Sequence, residues 1–400
     1  MNILFIHQNF PGQFLHLAAD LASDPRNKVV ALTSCINPAP AGVILRPYTL
    51  LRAPAQETHF LLQEQESHIL RAEACAAAAL QLKHDGFTPD IIIAHPGWGE
   101  ALFLKEVFPN SKLVIYCEYY YAEYGQDVHF DPAQPKLTFA QRCKLRLKNT
   151  TNLLSLEIAD VAISPTRWQK STYPSWAQSK ITVIHDGIDQ DRLKFNSEAN
   201  LQVQKAGTGV IRFRPGDEVL SYVARNLEPV RGFQVFMRSL PHVLRQRPNA
   251  HAVIIGGSNI SYGACAPSGK SWQEHMIAEV GSQLDMRRVH FLGNTSYGTY
   301  LDVLSISRVH TYWTVPFVLS WSFLEAAIAG MPVIASATPP VQEFSDELDV
   351  QEIDFFDHLG FSDAIVEHLS SGPRPRETKA ISRCMLSDCV NAQKKLLATL

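Results

Sequence analysis

Short runs dominated by Ile, Val and Leu recur through the chain and leave few folds open. They are NILFIH, KVVALTS, VILRPYTL, DIIIAH, KLVIYCE, ADVAISP and KITVIH in the first half, then VLSYVAR, AHAVIIGG, RVHFLGN, RVHTYWT and PVIAS in the second. Their hydrophobicity is continuous rather than alternating, the mark of strands buried on both faces in a parallel sheet. Helix-like stretches lie between them, at 57–84 and 136–159, then at 233–246, 272–284, 297–306 and 321–329. That alternation is the βαβ pattern of doubly wound α/β domains.

The two series are separated by NSEANLQVQKAGTGVIRFRPGDE, whose Gly207, Gly209, Pro215 and Gly216 read as a linker. A chain of 400 residues is too long for one ordinary core. The expected organisation is a first Rossmann-like domain over 1–195, a second over 196–378, and a helical tail over 379–400 that packs back on the first. Two tandem doubly wound domains would face a cleft, with ligands beyond the carboxyl ends of the strands where strand order reverses.

Composition removes several classes of function. A net charge of -3 and the absence of a clustered basic face argue against nucleic acid. The seven cysteines are scattered and form no CxxC pair, so neither a disulfide framework nor a zinc site is expected. MNILFIHQNF has no basic leader, and no apolar run approaches the roughly 18 residues of a spanning helix, which points to the cytoplasm. The one dense basic run, Arg142, Lys144, Arg146 and Lys148, reads first as a solvated helix and second as a weak peripheral contact with the inner face of a membrane.

Several motifs carry chemistry, each with a plainer alternative. In SWSFLEAAIAGMPVIAS, Ser320 is placed to cap a helix over 321–329 that ends at Gly330. Its free amides and dipole would suit a phosphate or a sugar hydroxyl. Glu325 on that helix is either an exposed acid or, given Phe323, Leu324, Ala326, Ala327 and Ile328 around it, a half-buried one that needs a partner. Arg225 at the end of LSYVAR and Arg231 in NLEPVRG are either surface cations or a pair suited to a diphosphate. FIHQNFPGQF has a single loop glycine, Gly12, and lacks the GxGxxG dinucleotide fingerprint. His95 follows the buried run DIIIAH, a position that is either structural or functional. CEYYYAEYGQDVHFDP interleaves acids with aromatics, so Glu118, Tyr120 and Tyr121 either bind a sugar or pack beneath a domain face.

The succession VARNLEPVRGF, VIIGG, HFLGN and SWSFLEAAIAGMPVIAS resembles the C-terminal half of retaining glycosyltransferases of the GT-B fold, family 4, the glycosyl transferases group 1. SPTRWQKSTYP and ITVIHDGID are similar to the segment closing the N-terminal domain of that family, and SYGACAPSGKSW is a pattern of a bacterial subgroup. The resemblance covers nearly the whole chain.

It implies transfer of a sugar from a nucleoside diphosphate sugar, UDP favoured over GDP, to a glycan, lipid-linked or small-molecule hydroxyl acceptor. Cell-surface polysaccharide or glycan assembly would be the setting, without cofactor or metal. It places Arg225 and Arg231 on the diphosphate, Glu325 on the ribose and His95 beside the transferred sugar. Gly12, Gly257, Tyr297, Ser320, Trp321 and Ser322 then lie on the donor side, and Glu118, Tyr120 and Tyr121 on the acceptor side. One position departs from the family: Phe317 stands where an acid eight residues before Glu325 would contact the sugar. That departure keeps two other expectations open, a GT-B nucleotide-sugar epimerase and a non-catalytic GT-B partner subunit.

Overall fold

The computed structural model describes residues 1–132, 134–205 and 209–400. Two compact units emerge, Met1–Gly187 together with Ser382–Leu400, and Ile188–Ile381.

In the first unit seven strands form one sheet: β1 (Asn2–Ile6), β2 (Lys28–Thr33), β3 (Ile44–Pro47), β4 (Ile91–Ala94), β5 (Lys112–Tyr116), β6 (Val161–Ser164) and β7 (Ile181–Val183). Their order is β3-β2-β1-β4-β5-β6-β7, and every neighbouring pair is parallel. Alternate residues enter two separate cores. Leu4, Ile6, Ile92 and Ile115 pack with Cys75, Ala79 and Leu82 of the helix Gln63–His84. Ile3, Phe5, Ile91, Ile93 and Val114 pack with Leu17 and Leu21 of the helix Leu15–Ser23. Both faces are dry, so the runs are apolar at every position. Burying each such side chain is worth roughly 1.5–3 kcal/mol.

The second unit repeats the topology with β10 (Val219–Asn226), β11 (His251–Gly257), β12 (Val289–Gly293), β13 (Val309–Tyr312), β14 (Val333–Ser336) and β15 (Val350–Ile353). Its order is β12-β11-β10-β13-β14-β15, again parallel throughout. In both sheets the chain moves outward from its first strand and then returns to that strand's other side. The reversal lies between β1 and β4 in one unit and between β10 and β13 in the other.

Several sequence expectations need correction. The stretch read as a linker is an antiparallel hairpin of β8 (Leu201–Lys205) and β9 (Gly209–Phe213), because Val203 and Ile211 face each other across it; Gly207 lies outside the described residues. β3 is an edge strand with Ile44 exposed, not a strand buried on both faces. β15 is only partly buried and escaped the apolar-run criterion. The expected helix over 136–159 is two, Phe139–Leu147 and Thr150–Ile158, interrupted at Lys148 and Asn149, and the helix expected from 57 begins at Gln63.

The helix Leu386–Leu397 lies on the first unit. Lys394 Nζ is 2.7 Å from Asp20 Oδ2, Gln393 Nε2 donates to the His185 carbonyl at 3.1 Å, and Leu397 joins the core beside Leu17. Among the described residues no helix is long and apolar enough to cross a membrane.

Candidate functional site

Both reversal points gather polar side chains at the carboxyl ends of strands, as doubly wound folds do. In the first unit His7 follows β1, His95 follows β4 and Glu118 follows β5. Asn9 N–H donates to His7 Nδ1 at 3.0 Å, leaving His7 Nε2–H for Gln13 Oε1 at 2.9 Å. Gln13 in turn donates to Glu118 Oε1 at 2.6 Å. His95 Nδ1 accepts from Gly97 N–H at 3.1 Å, and its Nε2 lies 3.5 Å from Glu118 Oε2. The His95 ring stacks with Trp98 at 4.4 Å and Tyr116 at 5.6 Å, and meets His7 edge-on at 5.4 Å. Burial alone would raise the Glu118 pKa, but His95, Gln13 and His7 together outweigh it, and Glu118 sits below the ordinary glutamate value.

Gly12 takes its place for a steric reason. Its φ is +48°, and a Cβ there would lie 2.6 Å from the His7 ring, so the glycine makes room for that imidazole. Tyr120 and Tyr121 are anchored through their backbones, Tyr120 N–H to Thr172 Oγ1 at 3.1 Å and Tyr121 N–H to Asn149 Oδ1 at 2.9 Å. The Lys148 ammonium sits 4.0 Å over the Tyr121 ring.

In the second unit Arg225 stands exposed on β10, and the loop after it turns back through Arg231. Arg231 Nη1 donates to the Val318 carbonyl at 2.6 Å, to Tyr312 Oη at 3.3 Å and to Thr314 Oγ1 at 3.4 Å. Tyr312 Oη also accepts the Ser320 N–H at 2.9 Å, so one hydroxyl ties Arg231 to the start of the helix Trp321–Ile328. Ser320 has the extended backbone of a cap, but its side chain does not cap. Its Oγ pairs with Ser322 Oγ at 3.0 Å instead. The expected side-chain cap is therefore absent.

One turn into that helix, Glu325 Oε1 accepts from the Tyr297 hydroxyl at 2.9 Å. The Arg192 guanidinium lies 4.3 Å over the Tyr297 ring. Burial raises the Glu325 pKa against the opposing pull of Tyr297, Tyr300 and Arg192. At Gly257 a Cβ would sit 2.5 Å from Asn226 Oδ1, so glycine keeps the β11 end against β10.

Phe317 is buried and packs edge-on against Tyr262 at 4.9 Å, with the Arg231 guanidinium 5.5 Å over its ring. Glu228, between the two arginines in sequence, was not singled out by sequence reasoning. It is only 1% exposed, and Oε2 accepts the N–H groups of Ser261 at 3.2 Å and Tyr262 at 2.9 Å. Burial raises its pKa, while those amides, Arg231 and Arg225 oppose the rise. An acid flanked by apolar Leu227 and Pro229 at a strand end was the signal that could have found it. His7 was also passed over, although FIHQ and IIAHP put a histidine at the same place after a buried strand.

The structure thus gathers Arg225, Glu228, Arg231, Phe317 and the start of the Glu325 helix at one sheet end, and His7, Gln13, His95 and Glu118 at the other unit's corresponding end. Tyr120 and Tyr121 follow Glu118 in the chain and are tied through their backbones to Thr172 and Asn149.

Two family profiles match the sequence, Glycosyl transferase family 4 group over residues 25–193 and Glycosyl transferases group 1 over residues 217–370. No curated protein matches it in sequence. Solved structures share its fold at low identity. A sucrose-phosphate synthase from Thermosynechococcus elongatus is 14% identical, with a TM-score of 0.68 over 100% of this chain and 98% of that one. An alpha,alpha-trehalose-phosphate synthase (UDP-forming) from Burkholderia vietnamiensis is 13% identical, with a TM-score of 0.63 over 100% of both chains. The catalytic domain of starch synthase IV from Arabidopsis thaliana, bound to ADP and acarbose, is 13% identical, with a TM-score of 0.61 over 100% of this chain and 98% of that one.

Proposed function

The chain belongs to the glycosyl transferases group 1 and has the GT-B fold, and from that premise we propose that it moves a sugar from a nucleoside diphosphate sugar, UDP-linked in preference to GDP-linked, to a hydroxyl acceptor with retention at the anomeric carbon. The observation that carries this reading is Arg231, pinned by Val318, Tyr312 and Thr314 beside the helix that bears Glu325, with Arg225 at the end of the neighbouring strand. Fixed guanidinium groups suit a diphosphate, and a half-buried carboxyl suits ribose hydroxyls. The positive end of the helix dipole at the start of Trp321–Ile328 adds to the attraction for the phosphates.

Chemistry in this proposal is chiefly electrostatic. The bond from the anomeric carbon to the phosphate oxygen breaks, its electron pair moves to the diphosphate, and a new bond forms to the acceptor oxygen, whose proton passes to the departing phosphate. Cations and amides already in place stabilise the growing negative charge more than the ground state. Neither a metal nor a cofactor is part of the proposal. Gly257 and Tyr297 border the donor. Tyr120 and Tyr121 belong to the acceptor side, and the acceptor is a glycan, a lipid-linked glycan or a small molecule in cell-surface polysaccharide assembly.

A cytoplasmic location with weak peripheral contact at the inner membrane face completes the reading. The helix Phe139–Leu147 supports that contact, since none of its residues is buried and it presents Arg142, Lys144 and Arg146 beside an exposed Phe139.

Calorimetry with UDP tests the donor site. Wild type should bind, and Glu325→Ala and Arg225→Ala should each weaken binding by about ten-fold or more while the fold stays intact. Equal affinity in all three proteins overturns the assignment. A thermal-shift panel of UDP, GDP, ADP and TDP sugars then ranks the bases, since a native-state binder raises the melting temperature with its affinity.

A further inference from the structure

Three elements of the second unit converge on Glu325, and the outermost carries Arg192. The segment that opens the unit is anchored by buried Ile188 and Leu193, and its turn Gln190–Leu193 holds Arg192 at the surface. The adjoining acid, Asp191, reaches Lys194 at 3.3 Å. Arg192 turns the other way, and its guanidinium lies 4.3 Å over the Tyr297 ring. Tyr297 opens the helix Tyr297–Ile306, whose start is fixed by Ser296 Oγ accepting the Thr299 N–H at 3.1 Å. The Tyr297 hydroxyl then donates to Glu325 Oε1 at 2.9 Å, on the helix Trp321–Ile328. Cation, phenol and carboxylate thus touch in series, Arg192 on the ring face and Glu325 on the hydroxyl. A cation over a ring is attracted to its π density, which holds the ring in place. It also draws density from the phenol oxygen and so makes the O–H a stronger donor.

We propose that Arg192 is a positioning residue of the donor site, acting through Tyr297 to keep the Glu325 carboxylate aimed and charged for the ribose hydroxyls. It rests on the glycosyltransferase reading above, in which Glu325 meets the ribose. A carboxylate accepts hydrogen bonds from two neighbouring hydroxyls, whereas a protonated carboxyl spends one oxygen as a donor. The charged form is the one at risk here, because burial favours the neutral acid. The groups facing Glu325 are Tyr297 and Tyr300 from one helix and Arg192 from the opening turn, and all three oppose that effect. Asp189, on the same segment as Arg192, bears on Tyr297 with the opposite sign. Arg192 is therefore the cation that offsets burial, and it does so from the surface, without occupying the carboxylate.

Protein carrying carboxyl-13C glutamate provides the test, the Glu325 signal being the one missing in Glu325→Gln. In Arg192→Ala its titration midpoint should rise by about half a pH unit or more, and Arg192→Lys, which keeps a cation for the ring, should restore most of the wild-type value. An unchanged midpoint in Arg192→Ala overturns the proposal. Tyr297→Phe keeps the ring and removes the hydroxyl. Added to that variant, Arg192→Ala should move the midpoint little further; an undiminished rise would overturn action through Tyr297. UDP calorimetry then reads the consequence for the donor. Arg192→Ala should weaken UDP binding about three-fold or more at pH 7, with the gap closing at higher pH, where Glu325 is an anion in both proteins. Equal affinity and equal pH profiles, with UDP still lost in Glu325→Ala, overturn the positioning role and leave the glycosyltransferase reading standing. Absence of UDP binding by wild type removes that reading instead, while the titration still decides what Arg192 does to Glu325.

Discussion

The two units share a strand order and a reversal point yet treat acids oppositely there. In the first, Glu118 is surrounded by donors and held as an anion below its ordinary pKa. In the second, Glu325 and Glu228 are pushed above theirs by burial, with hydroxyls, amides and arginines only partly offsetting the cost. The contrast teaches that topology fixes where polar groups collect, whereas their charge state depends on what the neighbouring loops donate. A preorganised anion suits neutral hydroxyls, and an under-compensated acid beside exposed Arg225 suits a ligand that brings its own donors.

The glycines next to each reversal point give the largest expected effect. Gly232 has φ +66° and would place a Cβ 2.5 Å from Trp313, which is itself packed 4.0 Å from Phe361. Gly232→Ala should therefore lower stability by about 3 kcal/mol, read as a fall in melting temperature or denaturation midpoint. Gly12→Ala meets the outer edge of the His7 ring rather than a Cβ, so about 1–2 kcal/mol is expected along with loss of the His7–Gln13 bond. Equal costs would break the comparison between a structural aromatic in one unit and a ligand-supporting one in the other.

Arg231→Ala comes next. It should weaken UDP binding by about ten-fold or more and also cost about 1–3 kcal/mol of stability, because the Val318 carbonyl loses its donor. Arg225→Ala should affect binding alone, since Arg225 is exposed. Calorimetry beside thermal melts separates the two.

The smallest effect has the most telling sign. Glu325 has a raised folded pKa, so its contribution to stability is fully present below the ordinary glutamate value and is lost as pH rises through the folded value. Glu325→Gln should thus stabilise the free protein by about 0.5–2 kcal/mol at pH 8, with the gain vanishing in acid. Glu118 has a lowered pKa, so its contribution is present above the ordinary glutamate value and disappears as pH falls through the folded value. Glu118→Gln should destabilise at pH 8 and converge on wild type in acid. Melting curves across pH that moved the same way for both variants would refute the electrostatic contrast.

Much of the framework was legible in the chain. The helices 233–246 and 297–306 fall on the expected residues, because Gly232 and Ser296 mark their starts and apolar spacing marks their lengths. Edges were less legible. β3 and β15 are partly exposed and carry weaker apolar signals, and the β8–β9 hairpin hides in polar, glycine-rich sequence. Of the candidate site, Arg225, Arg231 and Glu325 could be located from strand and helix ends. Glu228 was harder to read, since its strand-end position between Leu227 and Pro229 shows in the sequence but its partners Ser261 and Tyr262 come from a distant loop.

By itself the sequence determined two doubly wound parallel sheets and the cations at the end of β10. Runs apolar at every position can be satisfied only by strands covered on both faces, and strand ends then collect whatever polar residues follow. Only the tertiary structure decided that His95 is sealed while Glu118 stays half open. His95 is closed off by Gly97 and Trp98 of its own loop, whereas Glu118 after β5 is held by the side chain of Gln13 from the loop after β1, a contact that no local spacing encodes.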